Sequence, residues 1–234
     1  MKKLFYIVVA ISTISIVHAQ EIKFGAKVGL NVSSLRGDYP SEIDETKSEI
    51  GFHIGGFAEY KINNKFVIQP ELLISTQGGS SKVVEYYGGG SYFESFEQTP
   101  KLTYLNLPIM FKYLIIDKLS IDFGPQIGYL ISAKSKWEYV DSTDSAENET
   151  IEVDLIGDGT YTFVGTTFQL KPKTNRFDFG INIGSSYDIT DKFFIQARYN
   201  LGLTVFDKNS TAGSSTDSWN LKNSVFQIST GYKF

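Results

Sequence analysis

Residues 224–234 read Ser224–Val225–Phe226–Gln227–Ile228–Ser229–Thr230–Gly231–Tyr232–Lys233–Phe234, so large apolar residues alternate with small or polar ones. A period of two places these sets on opposite faces of a β-strand. The strand that closes a bacterial outer-membrane barrel often ends on such an aromatic residue, which the insertion machinery recognises. We therefore expect the apolar face to be an insertion signal. Its residues are Phe226, Ile228, Tyr232 and Phe234.

The amino-terminal residues predict export. Met1–Lys2–Lys3 is positively charged, residues 4–17 are apolar, and Val17–His18–Ala19 is compatible with cleavage. This order is that of a secretory signal peptide, and the apolar stretch is too short to anchor the chain as a membrane helix. We expect residues 1–19 to be removed and residues 20–234 to form one barrel domain.

The composition excludes several classes of protein. The chain has no Cys, which excludes disulfides and thiolate metal sites. Its formal net charge is −4, and loss of Lys2 and Lys3 makes it more acidic, so no nucleic-acid partner is expected. No segment after residue 19 is apolar for long enough to form a membrane helix. A protein of this kind can span a membrane only with strands.

Eight segments alternate between apolar and polar residues, each close to the length of about 9–11 residues that a tilted membrane strand needs. They are residues 22–32, 50–62, 66–76, 102–113, 119–133, 177–189, 193–205 and 224–234. In the fourth segment the alternation changes phase after Tyr104. We expect a β-bulge near Tyr104 and Leu105 that keeps Leu102 and Tyr104 on the outer face.

The connections between these segments alternate strictly between short and long. Short turns lie at 63–64, 115–118 and 190–191, and long connections at 33–49, 78–101, 134–176 and 206–222. Outer-membrane barrels have this pattern, with short periplasmic turns and long extracellular loops. The predicted fold is all-β: an eight-stranded antiparallel transmembrane up-and-down β-barrel in the cell outer membrane, with both mature termini in the periplasm.

A soluble barrel of the lipocalin type is the competing architecture, and its apolar face would point inward around a ligand. The polar face of this chain instead carries many glycines together with charged residues, which fits the interior of a narrow membrane barrel. The charged residues are Lys27, Glu59, Glu71, Lys112, Asp122, Asp178 and Arg198.

Opposite charges inside a narrow bore must pair, because an isolated buried charge is costly. Eight strands enclose a space that side chains can fill. We therefore interpret the lumenal charges as a structural plug and predict an ion pair between Glu71 and Arg198. A path for ions or protons is the alternative interpretation.

Candidate catalytic and ligand-binding residues are few. The mature chain has a single histidine, His53, on the inward face. A lipid-modifying hydrolase would need this residue beside a nucleophile, so we favour a structural role and predict no catalytic, metal or cofactor site.

The long segment 134–176 is acidic, but it lacks the spacing of a calcium loop. Within it we expect residues 151–156 and 161–170 to form a hairpin around 157–159. Metal binding of the segment, and glycosylation at Asp144–Ser145–Ala146, are left open.

Several short segments resemble the PorT-like outer-membrane β-barrel proteins of Bacteroidetes, and they occur in the order of that family. This resemblance implies an eight-stranded outer-membrane barrel. It implies no particular activity, although one namesake is tied to a secretion system. The segments are Phe24–Gly25–Ala26–Lys27–Val28–Gly29–Leu30–Asn31, Gln69–Pro70–Glu71–Leu72, Tyr104–Leu105–Asn106–Leu107–Pro108, Gly124–Pro125–Gln126–Ile127–Gly128, Phe177–Asp178–Phe179–Gly180 and Ala197–Arg198–Tyr199–Asn200–Leu201–Gly202.

Together these observations favour a non-enzymatic barrel that acts through its loops or turns. The expected partners are outer-membrane lipid, the insertion machinery and an unidentified protein or surface ligand at the long loops. A narrow pore for small solutes is one alternative, and a lipid hydrolase that uses His53 is another.

Overall fold

The computed structural model describes residues 22–37, 39, 41–206 and 220–234. The predicted signal peptide and residues 207–219 of the fourth long connection lie outside this part of the chain. The strands are β1 (Ile22–Arg36), β2 (Glu45–Lys61), β3 (Phe66–Tyr87), β4 (Tyr92–Ile116), β5 (Leu119–Asp141), β6 (Glu149–Asp154), β7 (Gly159–Phe163), β8 (Thr166–Leu170), β9 (Phe177–Asp188), β10 (Phe193–Gly202) and β11 (Lys222–Lys233). Among the described residues there is no helix with the length and apolar character that crossing a bilayer requires.

Eight of these strands form a closed antiparallel ring in the order β1–β2–β3–β4–β5–β9–β10–β11. The pairing of β11 with β1 closes the ring, for example between Thr230 and Val28. Closure leaves no unpaired strand edge in this part of the sheet, as a membrane requires. The predicted eight-stranded barrel is therefore confirmed.

The barrel wall has an apolar outer face and a mostly polar inner face. In β1, Phe24, Val28 and Leu30 are exposed, whereas Lys27 and Asn31 are buried. Large apolar side chains that point away from the core belong in lipid rather than in water. The ring of strands therefore spans the membrane.

The two ends of the barrel differ. At the end with short connections, which we call the turn end, aromatic rings pair on the outer face: the Phe66 and Tyr113 centroids are 5.2 Å apart, and those of Phe193 and Tyr232 are 4.9 Å apart. Such rings are typical of the membrane–water interface. The opposite end, where the long connections lie, is called the loop end.

The β-bulge predicted for the fourth strand lies in its neighbour instead. Thr103 pairs with Ser132, but Tyr104 pairs with Leu130, so the extra residue is Ile131 of β5. The strand β4 keeps a single phase through this region. The prediction that a bulge in β4 restores the outer face is wrong.

Leu102 and Tyr104 consequently point into the barrel rather than toward lipid, and they are 0% and 1% exposed. They belong to a buried cluster near the loop end that we call the hydrophobic plug. The alternation of sequence alone could not assign these residues, because apolar side chains fill the bore at this level. The plug consists of Leu35, Leu102, Tyr104, Leu130, Ala133, Phe206 and Leu221.

Residues 78–101 form a hairpin rather than an irregular loop. Their backbone continues the ladder of β3 and β4 as far as the pair Tyr87 and Tyr92. The turn between them uses Gly88, Gly89 and Gly90 at φ of 58°, 69° and 92°. Residues with side chains rarely adopt this left-handed region, so glycine fits here.

The segment 134–176 also differs from the prediction. Residues 134–139 of β5 pair with β6, where Trp137 faces Ile151, and β7 pairs with β8 in a separate hairpin. Among the described residues no ladder crosses 157–159, so the hairpin predicted around those residues is wrong. The strands that continue past the barrel form a loop-end sheet, made of residues 45–48, 78–87, 92–101, 134–141 and 149–154.

Candidate functional site

The predicted lumenal charges occupy three different levels of the bore. At the turn end, the Lys112 Nζ lies 3.0 Å from Glu59 Oε1, and the Lys233 Nζ lies 3.1 Å from Glu59 Oε2. Lys233 also donates to both oxygens of Asp188 at 2.9 Å. These groups border an open cavity of about 230 Å³ at the turn end. Glu59 therefore joins two lysines that approach it from different strands.

An aromatic pair lies immediately above this charge layer. The Phe57 and Phe194 centroids are 5.5 Å apart at an interplanar angle of 82°, an edge-to-face geometry. The two side chains are 5% and 0% exposed. The Nζ atoms of Lys112 and Lys233 lie 5.7 and 5.5 Å from the Phe194 centroid, within the range of cation–π attraction.

Sequence reasoning missed this pair. Both residues have the inward phase of their strands, but neither of them was named among the residues predicted for the inner face. Two glycines provide the space for the rings: a Cβ atom at Gly25 would collide with the Phe57 ring, and one at Gly231 would collide with the Phe194 ring. The combination of inward glycine and inward phenylalanine on nearby strands is the signal that could have found it.

The central level holds a buried triad formed by Glu71, Arg198 and Lys27. The Arg198 Nη1 and Nη2 donate to Glu71 Oε2 and Oε1 at 3.0 and 2.7 Å. The Lys27 Nζ lies 2.7 Å from Glu71 Oε2. All three side chains are fully buried. The bidentate contact between Arg198 and Glu71 is the strong form of an arginine–carboxylate interaction.

Amide side chains complete the triad and link it to Asp122. The Gln196 Oε1 accepts from Lys27 at 3.0 Å and from Arg198 at 3.2 Å, while its Nε2 donates to Asp122 Oδ2 at 2.9 Å. Ser120 donates to the other oxygen of Asp122 at 2.5 Å. Asp122 is thus held by hydroxyl and amide groups.

The structure does not bring Asp178 together with the other predicted charges. It lies near the hydrophobic plug, where Asn223 donates to its Oδ2 at 3.0 Å and to the Tyr104 hydroxyl at 3.2 Å. The predicted single cluster is therefore divided between the turn end, the central triad and this position.

His53 lies between the central triad and the hydrophobic plug. Its Nδ1 is 2.7 Å from Asn31 Oδ1, and its Nε2 is 2.8 Å from Ser229 Oγ. The Asn31 Nδ2 donates to the Phe52 and Thr76 carbonyls, which turns its Oδ1 toward the ring. Nδ1 consequently carries the hydrogen and Nε2 accepts one from Ser229. Hydrolases use this order of groups, but here His53 is 0% and Ser229 is 4% exposed.

Beyond the barrel, aromatic side chains attach the β7–β8 hairpin to the loop-end sheet. Trp137 stacks on Phe168 with centroids 5.6 Å apart and an interplanar angle of 10°. Phe96 lies 5.8 Å from Trp137 and 5.7 Å from Phe163. Trp137 has the phase of the buried residues Ala133 and Ser135 of β5, so this cluster covers the face of the sheet that continues the inner face of the barrel.

The other face of the loop-end sheet is charged and exposed. The Lys134 Nζ donates to Glu152 at 2.6 Å, and this hydrogen bond raises the pKa of Lys134. Near the tip, on the face that carries Phe96, the Tyr87 hydroxyl donates to Glu85 at 2.5 Å, which raises the pKa of Tyr87 to about 12. These contacts are solvent-exposed ion pairs and hydrogen bonds of modest energy.

The acidic residues of segment 134–176 mainly bind turn backbone. Asp141 Oδ1 accepts from the Thr143 N–H at 2.6 Å, and the hydrogen bonds from Thr143 lower the pKa of Asp141. Asp154 Oδ1 accepts from the Ile156 N–H at 2.6 Å. Within the described part of the chain, no three His, Cys, Asp or Glu side chains are grouped in a way that could hold a metal ion.

The fold and its buried polar bore define an integral outer-membrane β-barrel protein. The sequence profile of the outer membrane protein beta-barrel domain family matches residues 18–208. The chain belongs to this family.

Solved outer-membrane barrels are similar to this chain over most of its length. Ail of Yersinia pestis shares 13% identity at a TM-score of 0.41, covering 92% of this chain and 99% of Ail. The Neisserial surface protein NspA shares 11% identity at a TM-score of 0.43, covering 92% of this chain and 100% of NspA. OprG of Pseudomonas aeruginosa shares 11% identity at a TM-score of 0.38, covering 92% of this chain and 97% of OprG. Comparison with curated proteins returns no match.

Proposed function

We propose that this protein is a non-enzymatic outer-membrane barrel of the PorT-like type of Bacteroidetes, and that it acts by contact with a partner at its loop end. Residues 1–19 are removed on export, the turn end and both mature termini face the periplasm, and the loop end faces outward. The sequence resemblance and the alternation of short and long connections support this orientation. The apolar face of β11 serves as the insertion signal.

The observation that carries the proposal is the contrast between a bore that side chains fill and an ordered sheet that extends beyond the membrane-spanning part of the barrel. The triad of Lys27, Glu71 and Arg198 fills the middle of the bore, and the hydrophobic plug fills it near the loop end. The chain meanwhile continues β3, β4 and β5 well past the barrel. Ordered structure outside the membrane is where recognition by such scaffolds usually resides.

A register-preserving truncation tests the role of the loop-end sheet. Replacing residues 82–97 by a two-residue turn joins Ser81 to Gln98, which already face each other across the ladder. With a photo-crosslinking residue at Lys101 on the outer face, the full chain should yield a crosslinked partner in cells, and a chain that combines this truncation with a deletion of residues 142–170 should not. Crosslinks that are unchanged by the combined truncation, in a barrel that still assembles, would contradict the proposal. A crosslinker at Lys61 of the turn end is the matched control.

The pore alternative makes a different prediction for the purified protein. A filled eight-stranded bore should give no steady single-channel current in planar bilayers. The variant Arg198→Ala creates space in the central level and serves as a positive comparison for small leaks. Steady conductance of the unmodified barrel would favour the pore.

The hydrolase alternative has one observation in its favour, the hydrogen-bonded order Asn31–His53–Ser229. A substrate must bring its scissile bond to the Ser229 Oγ, yet this atom lies between the central triad and the hydrophobic plug. We therefore assign these residues a structural role. Reaction of the folded barrel with a fluorophosphonate probe should leave Ser229 unmodified, and an adduct that His53→Ala abolishes would establish the hydrolase instead.

A further inference from the structure

We propose that the free edge of β6 is a docking site for an extended, basic polypeptide segment that adds to the loop-end sheet as a further strand. The inference rests on the proposed function, since it names the place and the chemistry of the partner contact. It follows from three observations: an open strand edge, the direction of its backbone groups, and its charge.

The sheet that begins in the barrel ends at β6. In the strand order, β5 is followed by β6 and no described strand lies beyond it. The ladder with β5 runs without a shift over all six residues of β6, from Glu149 to Asp154. A straight edge of this kind presents a row of backbone donors and acceptors.

Two hydrogen bonds establish which backbone groups face outward. The Leu155 N–H donates to the Ala133 carbonyl of β5 at 2.9 Å, whereas the Asp154 N–H points the other way and donates to the Tyr161 hydroxyl at 2.9 Å. Direction alternates along a strand, so the N–H groups of Thr150 and Glu152 also point away from β5. In the described residues, neither group has a backbone partner on that side.

The charge of the edge selects the partner. The strand reads Glu149–Thr150–Ile151–Glu152–Val153–Asp154, with three carboxylates and no cation. Lys134 binds Glu152 from the neighbouring strand, which leaves an acidic excess. A second copy of this edge would bring three more carboxylates and repel, so self-pairing is disfavoured. An incoming strand with lysine or arginine would form cross-strand ion pairs beside a backbone ladder, the recognition mode of strand addition.

The edge lacks the usual features that prevent such pairing. Proteins commonly protect edges with lysine, proline, a bulge or a very short strand. None of the first three occurs in β6. The β7–β8 hairpin packs on the sheet face through Phe163 and Phe168. It meets β6 at both ends of that strand, where the Tyr161 hydroxyl accepts from the Asp154 N–H and the Val164 N–H donates to the Glu149 carboxylate. The stretch around Thr150 and Glu152 is exposed.

Hydrogen exchange of the full barrel in lipid nanodiscs tests the inference directly. The probe is an eight-residue acetylated peptide of alternating Lys and Val, and a peptide of alternating Glu and Val is the control. Strand addition should slow exchange of the Thr150 and Glu152 amides by about tenfold with the basic peptide only. Equal protection by both peptides, or protection confined to residues 45–48 at the other end of the loop-end sheet, would overturn the proposal.

Two kinds of variant separate this proposal from the function it rests on. The double substitution Thr150→Pro and Glu152→Pro removes the outward N–H groups and leaves the ladder to β5, whereas Ile151→Pro breaks that ladder. The double variant has no amide hydrogen at residues 150 and 152, so its readout is the cellular crosslink, and loss of that crosslink in a barrel that still assembles supports the proposal. A crosslink that survives the double substitution, but not the combined truncation, contradicts the edge site and retains the proposed function.

A charge variant covers the case in which the proline variants fail to assemble. Glu152→Lys combined with Asp154→Lys reverses the charge of the edge while keeping its backbone. The protection of Thr150 should then follow the acidic peptide instead of the basic one. An unchanged preference for the basic peptide would show that the edge does not select it.

Discussion

Arg198 holds Glu71 through two parallel hydrogen bonds of 3.0 and 2.7 Å across the inside of the barrel, from β10 to β3. Lys27 approaches the same carboxylate to 2.7 Å. The two cations therefore share a single anion.

Removing the anion should cost more than removing one cation. Glu71→Leu leaves both Lys27 and Arg198 buried without their partner, and we expect a loss of about 3–5 kcal/mol in the free energy of unfolding. Arg198→Leu should cost less, because Lys27 still pairs with Glu71. Urea unfolding from lipid vesicles measures both values. Equal losses for the two variants would remove the shared-anion arrangement from the explanation of stability.

The aromatic pair predicts coupling between a glycine and a ring. Gly231→Ala introduces a Cβ atom against the Phe194 ring and should destabilise the barrel by about 1–3 kcal/mol. In the background Phe194→Leu, which removes the colliding ring atoms, the same substitution should cost less. A double-mutant cycle in the vesicle assay gives the coupling energy. Strictly additive effects would mean that the Phe194 ring does not limit the size of the side chain at position 231.

Assembly should depend on the last residues of β11. Tyr232 pairs with Ala26 of β1 and with Phe193 of β10, so its strand closes the ring on both sides. Deleting residues 232–234 leaves part of that seam open in lipid, where unpaired backbone groups are costly. We expect little heat-modifiable barrel in the outer-membrane fraction. Normal amounts after the deletion would argue against this requirement.

The tip of the loop-end sheet offers a spectroscopic prediction. Because the Glu85 carboxylate accepts the Tyr87 hydrogen bond, the pKa of Tyr87 is raised to about 12. Its contact with Glu85 should persist below the ordinary tyrosine pKa of about 10 and disappear as the pH rises through about 12. Phenolate absorbance, compared with Tyr87→Phe, isolates this residue. Glu85→Gln should lower its titration midpoint, and an unchanged midpoint would contradict the contact.

The barrel could be predicted from sequence because lipid imposes a simple alternation. In β1, Val28 and Leu30 face lipid while Lys27 and Asn31 face the bore, as a period of two requires. The approach of Glu71 and Arg198 could also be predicted, since both have the inward phase and similar distances from the turn end. Pairing across a narrow bore then follows from the cost of leaving either charge alone.

Other parts were not accessible to the same reasoning. Leu102 and Leu130 are apolar in either environment, so alternation cannot distinguish a bore filled with leucine from a wall that faces lipid. The extension of β3 and β4 past the barrel was also missed. Neither face of the sheet contacts lipid there, so apolar and polar residues no longer alternate along the strands. The Ser229 contact of His53 depends on strand register, which pairs Gly29 with both residues and which no local pattern encodes.

The length of β4 sets the reach of the molecule. Its 25 residues, at about 3.3 Å each, extend about 80 Å along the strand, or about 60 Å along the barrel axis at a tilt near 40°. The apolar band of such a barrel is only about 25 Å tall. Even after the interfacial layer is crossed, the turn at residues 88–91 therefore stands far above the lipid headgroups. In the proposed orientation, a molecule approaching from outside the cell would touch this hairpin before it could reach the membrane.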